Sequence, residues 1–191
     1  MILGPLAAGV GLFCLKPDNL RRFLVALATL AVCVCALALP RLPAPSALAG
    51  FPLHHHWLNL AMMLTEAGMG LYVVVVGIRA RHSMIVALML AQGGLLAWFE
   101  WTYGAHLEAA HNLFLDKFAI IMALINGLVG GGICLYALGY MREYHEVAHR
   151  EVADRRPLFF GLLFVFMGAM FGLIFANNLM WLFFFWEITT L

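Results

Sequence analysis

The sequence predicts an all-α protein: a polytopic transmembrane helix bundle of about seven spans, the last one incomplete. Three observations predict this. Of 191 residues, 64% are hydrophobic and only 11% charged, with a mean hydropathy of +0.94, whereas a soluble domain is about half apolar and about a quarter charged. Apolar runs of 14 to 22 residues recur, matching the roughly 20 helical residues that cross a hydrocarbon core about 30 Å thick. The runs are uniformly apolar, not the alternating segments of about ten residues that a membrane barrel shows.

The first expected span is Met1 to Leu15, short and interrupted by Gly4, Pro5, Gly9 and Gly11. It lacks the basic n-region of a cleaved signal, so we read it as a span. Lys16 to Arg22 is a basic loop, and Phe23 to Leu39 the second span. Pro40, Pro43 and Pro45 stop any helix, giving a loop to about His56. The third span runs Trp57 to Ile78 and carries Glu66 at its middle. Arg79, Arg81 and His82 make a tight turn before the fourth span, Met84 to Phe99. Glu100 to Asp116 is a loop that includes His106, Glu108 and His111. The fifth span is Lys117 to Tyr140, and the charged stretch Met141 to Pro157 connects it to the sixth, Leu158 to Ala176. Asn177 and Asn178 turn the chain into the seventh, which begins at Leu179.

Basic residues orient the bundle. Lys16, Arg21, Arg22, Arg79, Arg81, Arg142, Arg150, Arg155 and Arg156 fall in odd-numbered loops; only Arg41 and Lys117 fall in even-numbered ones. Nine against two places the odd loops in the cytoplasm and the N-terminus outside, in a multi-pass protein of the cell membrane. Formal net charge is +1, which leaves no basic surface for nucleic acid. The four cysteines all lie in apolar runs and read as small buried hydrophobes. Glycines cluster on span five (Gly127, Gly130, Gly131, Gly132) and span six (Gly161, Gly168, Gly172). Small residues let helix backbones approach closely, here within the subunit.

Two carboxylates fall at membrane depth. Glu187 lies roughly 13 Å along the helix from Asn178, near the midplane, within Trp181-Leu-Phe-Phe-Phe-Trp-Glu-Ile-Thr-Thr190. An ionisable group there is costly and marks a functional site by default. Burial of a carboxyl favours its neutral form, and a group so tuned can relay protons near pH 7. Glu66, after Thr65, is a second possible proton relay; the plainer reading is a carboxyl satisfied by Thr65 or by a neighbouring subunit. From Asn178 to Leu191 a helix reaches only about 20 Å, so we expect the N-terminal part of a longer polypeptide.

His145-Glu146-Val-Ala-His149 matches H-E-x-x-H, whose two His lie on one helix face and can hold zinc with the Glu as general base. Here Arg142, Glu143, Arg150, Glu151, Asp154, Arg155 and Arg156 surround it, which reads as a solvated connector with helical ion pairs and no metal site. His54-His55-His56 cannot share one helix face and reads as an interfacial anchor beside Trp57. No Cys quartet for an iron–sulfur cluster and no nucleotide loop is present, so no cofactor is expected.

Asn178-Leu-Met-Trp-Leu-Phe-Phe-Phe-Trp-Glu187 resembles the "NLL…WE" helix of antiporter-like subunits of respiratory complex I and Mrp-type antiporters. Leu115-Asp116-Lys117-Phe118 resembles the start of their third core helix, and Cys134-Leu-Tyr-Ala-Leu-Gly-Tyr-Met141 its end. With Glu143-Tyr-His145 following, the variant is most similar to membrane-bound energy-converting hydrogenases and formate hydrogenlyases; Tyr72 to Glu100 is similar to these less specifically. The resemblance covers about Asn112 to Leu191, which divides the chain into N-terminal helices (1–111) and the truncated start of an antiporter-like module (112–191). It implies that Glu187 translocates protons together with a lysine on a later helix. It also implies a proton- or sodium-pumping subunit without redox cofactors of its own, in an oxidoreductase complex with other membrane subunits and a peripheral hydrogenase or dehydrogenase arm. Two other readings stand beside it: a membrane zinc metalloprotease built on His145, Glu146 and His149, and a non-catalytic scaffold in which Glu187 is dispensable.

Overall fold

A computed structural model describes residues 1–15, 17–41, 49–51, 56–103, 112–145 and 154–190. The described chain is helical apart from one small ribbon. Helices α1 (Leu3–Cys14), α2 (Asp18–Ala38), α3 (His56–Arg79), α4 (Ser83–Tyr103), α5 (Lys117–Glu143), α6 (Arg156–Phe175) and α7 (Leu179–Thr190) follow the expected order. Among the described residues, five stretches are long and apolar enough to cross a membrane: Asp18–Arg41, Trp57–Arg79, Ser83–Tyr103, Lys117–Glu143 and Arg156–Phe175. Helices α1 and α7 have 12 residues each and reach about 18 Å.

The helix boundaries have local causes. The Asp116 carboxylate accepts the Ala119 N–H at 2.6 Å, capping α5. Pro157, in the first turn of α6, has the fixed φ that a helix start favours. Asn178 Oδ1 accepts the Met180 N–H at 3.0 Å and starts α7.

By compactness the chain forms two units, Met1–Phe51 with Leu113–Leu191, and Pro52–Asn112. In the first, α1 lies along α6, α2 along α5, and α7 against α6. Glycines set these approaches. A Cβ at Gly9 would meet the Gly161 carbonyl at 2.8 Å. One at Gly127 would meet the Ala36 Cβ at 2.6 Å, and one at Gly131 the Cys33 Sγ at 2.8 Å. Of the glycines expected to pack within the subunit, Gly127, Gly131, Gly161, Gly168 and Gly172 do so, whereas Gly132 meets nothing within 4 Å. Leu12, Val25, Val32, Ala123, Cys134, Phe160, Phe164, Met167 and Phe171 fill the core between them.

A feature absent from the sequence reading is a two-stranded antiparallel ribbon, β1 (Ala49–Phe51) with β2 (Leu113–Leu115). Leu113 also bridges to Ala176. Three-residue strands are too short to carry a period-2 pattern.

The opposite end of this unit carries the charges. Arg21, read above only as a topology marker, belongs to α2 and is buried, with 1% exposure. Asp18 pairs with Arg21, with Arg22 at 2.6 Å and with Arg156 at 3.5 Å. Arg156 also grips Asp154 through two bonds of 2.8 and 2.9 Å. This clasp ties the start of α2 to the start of α6. The Arg156 side chain lowers the Asp154 carboxyl from 3.8 to about 2. Because the folded value is depressed, the pair's contribution is complete above the ordinary carboxylate range and fades as pH falls toward 2. Arg156→Gln should return the Asp154 titration toward 3.8, read from its carboxyl carbon chemical shift.

The second unit is the α3–α4 hairpin. Its turn is a Schellman motif: the His82 N–H bonds the Gly77 carbonyl at 3.0 Å and the Arg81 N–H bonds that of Ile78 at 3.1 Å. Arg81 therefore sits at the position that glycine usually takes, with φ of 57°. A side chain in this region costs roughly 1–2 kcal/mol. Arg81→Gly should raise hairpin stability by up to about 1 kcal/mol, and the β-branched Arg81→Val should lower it by at least about 1 kcal/mol. Thermal unfolding in detergent, followed by circular dichroism, measures both.

Candidate functional site

The site is built on α7. Trp181 and Phe185, four residues apart, form its buried face, with ring centroids 6.4 Å apart in an edge-to-face arrangement. Phe185 lies flat on α6 where Gly172 leaves room: a Cβ at Gly172 would fall 2.4 Å from its ring carbons. Next to this contact, Phe171 and Phe175 stack at 6.2 Å. The packing fixes the rotation of α7, and with it the direction of Glu187.

Glu187 follows Phe185 by two positions, about 200° around the helix. It is half-buried, like Phe183, Phe184, Ile188 and Thr189. Among the described residues, none places a cation or hydrogen-bond donor against its carboxylate. The adjacent threonines serve their own backbone. Thr189 Oγ1 donates to the Trp186 carbonyl at 2.7 Å, and Thr190 Oγ1 to the Glu187 carbonyl at 2.9 Å. A carboxyl held on a rigid aromatic helix without a fixed counter-charge can gain and lose a proton without breaking an ion pair.

Glu66 stands on α3, in the other compact unit, and is half-buried. The Thr65 hydroxyl donates to the Ala61 carbonyl at 2.8 Å, so the partner expected from sequence is turned to its own helix.

Of the H-E-x-x-H match only His145 lies within the described residues; Glu146 and His149 lie outside them. His145 Nε2 accepts the Arg155 backbone N–H at 3.2 Å and stands 3.6 Å from Asp154. Among the described residues no group of three His, Cys, Asp or Glu is placed to hold a metal. His54, His55, His106, Glu108 and His111 also lie outside the described residues.

Sequence reading missed Asn126. On α5, facing α6, its side-chain N–H donates to the Met167 carbonyl at 3.3 Å, a polar cross-helix tie inside two apolar spans. Its signal was present: it is the one amide side chain within the span Lys117–Tyr140.

Residues 101–149 match the family described as NADH-ubiquinone oxidoreductase (complex I), chain 5 N-terminus. The chain carries antiporter-like sequence of the complex I and Mrp type. It is 31% identical over 85 residues to Na(+)/H(+) antiporter subunit A1 of Staphylococcus haemolyticus (strain JCSC1435), covering 44% of this chain and 10% of the relative. To Na(+)/H(+) antiporter subunit A1 of Staphylococcus aureus (strain bovine RF122 / ET3-1) it is 25% identical over 122 residues, covering 64% and 14%. The aligned part thus spans 10% to 14% of those relatives' length. No solved structure matches the chain.

Proposed function

We propose that this antiporter-like chain serves a membrane subunit that translocates protons, or sodium, with Glu187 as the ion relay. The observation that carries the reading is a half-buried carboxyl with no fixed counter-charge among the described residues, on an apolar helix whose rotation Gly172 and Phe185 set. The family match and the names of the antiporter relatives support the ion class. Glu66 is a second relay in this proposal. Partners are other membrane subunits of a complex. The motif Ala137-Leu-Gly-Tyr-Met141 with Glu143-Tyr-His145 supports a redox-driven complex of the energy-converting hydrogenase type, with a peripheral hydrogenase arm as the energy source. Proton uptake into inverted vesicles by Glu187→Gln, normalised to assembled complex, tests the role of Glu187.

In the same proposal the N-terminus is outside the cell membrane. Asp18, Arg21, Arg22, His145, Asp154 and Arg156 gather at one end of the first unit, which supports treating the first and third basic loops as lying on one side. A single cysteine at Arg150, in a background without the native four, should react with an impermeant reagent only from the cytoplasmic face. Labelling from outside rejects this orientation.

A further inference from the structure

Helices α5 and α6 leave a groove of about 250 Å³ between them, apolar along most of its walls, with Met122, Ile133, Phe166 and Met170 among its lining residues. The exception is Asn126. Its side-chain N–H donates to the Met167 carbonyl at 3.3 Å. A backbone carbonyl can only accept, so this bond fixes which end of the amide is nitrogen and which is oxygen. The oxygen, Oδ1, accepts no bond from any described residue and is not sealed inside the packing; Asn126 borders the groove. One turn further along α5, Gly130 has no Cβ. A Cβ placed there would lie 3.5 Å from Oδ1, so the missing side chain leaves open a way to this oxygen.

Depth decides what can meet that oxygen. Asn126 lies about 14 Å along α5 from Lys117, near the middle of a hydrocarbon core about 30 Å thick. There an unmet carbonyl has no water to turn to and is costly. An acyl chain can fill the groove but has no donor to offer, and lipid headgroups lie half a bilayer away. A donor on another helix can reach it. A charged donor is itself costly at this depth, which leaves a neutral hydroxyl or amide, the groups that join helices inside membranes. The walls suit such a side chain. Met122, Met167 and Met170 line the groove, and methionine is unbranched and repacks readily around what enters. Gly130 lets a short side chain come close to the α5 backbone.

We propose that the α5–α6 groove docks a transmembrane helix of a partner subunit, which places a serine, threonine, asparagine or glutamine donor over Gly130 against Asn126 Oδ1. This rests on the reading above that the chain works in a complex of membrane subunits. The test uses the full-length protein assembled in its native membrane, with the photo-crosslinker p-benzoylphenylalanine at Ile133, the groove residue farthest along α5, which leaves the part around Asn126 open. Irradiation should give an adduct with one apolar segment of another subunit, and mass spectrometry should find one of the four donor residues in it. Gly130→Leu should abolish the adduct by filling the groove. The fold tolerates this change, since a Cβ at 130 meets only ordinary contacts, at 3.5 and 3.6 Å. Asn126→Leu, similar in shape, should lower the yield about threefold, the scale of one hydrogen bond between membrane helices. Replacing the partner's donor by alanine should lower it equally, and the two changes together should lower it no further, as expected of a single shared bond. Adducts with lipid alone, with this same chain or a second copy of it, or none at all, overturn the proposal. So does an undiminished yield with Gly130→Leu, or losses that multiply in the double variant. None of these readouts depends on transport, so the outcome is separate from the role of Glu187.

Discussion

Glu187→Gln should yield a complex that assembles normally and loses most of its coupled ion transport, by roughly tenfold or more, the scale of losing a positioned proton-transfer group. Glutamine keeps the shape of the side chain and its hydrogen-bonding capacity, and removes only the titratable proton. The surroundings say why assembly should survive: the rotation of α7 is set by Trp181, Phe185 and Gly172 on the other side of the helix, and Glu187 contributes nothing to that contact. A neutral amide is also less costly to bury than a charge, so stability should hold or rise. Glu187→Asp should retain part of the activity, because the carboxyl remains and is drawn back by one methylene, about 1.5 Å. If the complex is redox-driven, as proposed above, turnover by its redox arm should fall where coupling is tight and continue without pumping where it is loose. Under the scaffold reading Gln is as good as Glu, so wild-type proton uptake by Glu187→Gln would reject the relay. Glu66→Gln, measured in the same vesicles, tells whether the second carboxyl belongs to the same path.

The helices were legible because they depend on local composition. Each long span is an apolar run bounded by a charge, a proline or a cap; Asp116, which the family resemblance placed at a helix start, is the cap of α5. Glu187 was legible for the same reason, as a lone carboxylate in an aromatic run. What was not legible depends on partners distant in sequence. Arg21 reads as a loop cation until it is seen buried on α2 beside Asp18, a carboxylate that Arg156, far along the chain, also reaches. The i,i+3 and i,i+4 spacing of Asp18 to Arg21 and Arg22 is a local hint that α2 begins earlier than the first apolar residue. The ribbon of Ala49–Phe51 with Leu113–Leu115 joins segments more than 60 positions apart, and nothing in either three-residue stretch names the other. The glycines of α6 gave the intention of close packing but not its objects. Gly161 receives Phe13, Gly168 receives Leu6, and Gly172 receives Phe185.

The last of these contacts carries the largest structural prediction. Gly172→Val should displace α7 and abolish transport even though Glu187 is untouched. The Cβ of any residue at 172 would stand 2.4 Å from ring carbons of Phe185, far inside van der Waals contact. Both atoms lie on rigid helices, so the strain cannot be relieved by a flexible side chain swinging away. Phe185 is also 4% exposed, with Trp181 edge-on at 6.4 Å, which blocks the ring's retreat along its own helix. Overpacking of this kind typically costs about 1–3 kcal/mol, and valine, with two further methyl groups, should lie at or above the upper end. Gly172→Ala should show the same effect at smaller size. The contact is separable from a general loss of fold by a compensating change. Phe185→Ala alone opens a cavity and should cost about 3–5 kcal/mol, yet combined with Gly172→Val it should be milder than the sum of the two, by 0.5–3 kcal/mol, as expected of directly touching residues. Thermal unfolding of the four proteins in detergent gives the coupling energy. Purely additive losses would show that Gly172 and Phe185 do not meet, and would remove the packing argument for the direction in which Glu187 points.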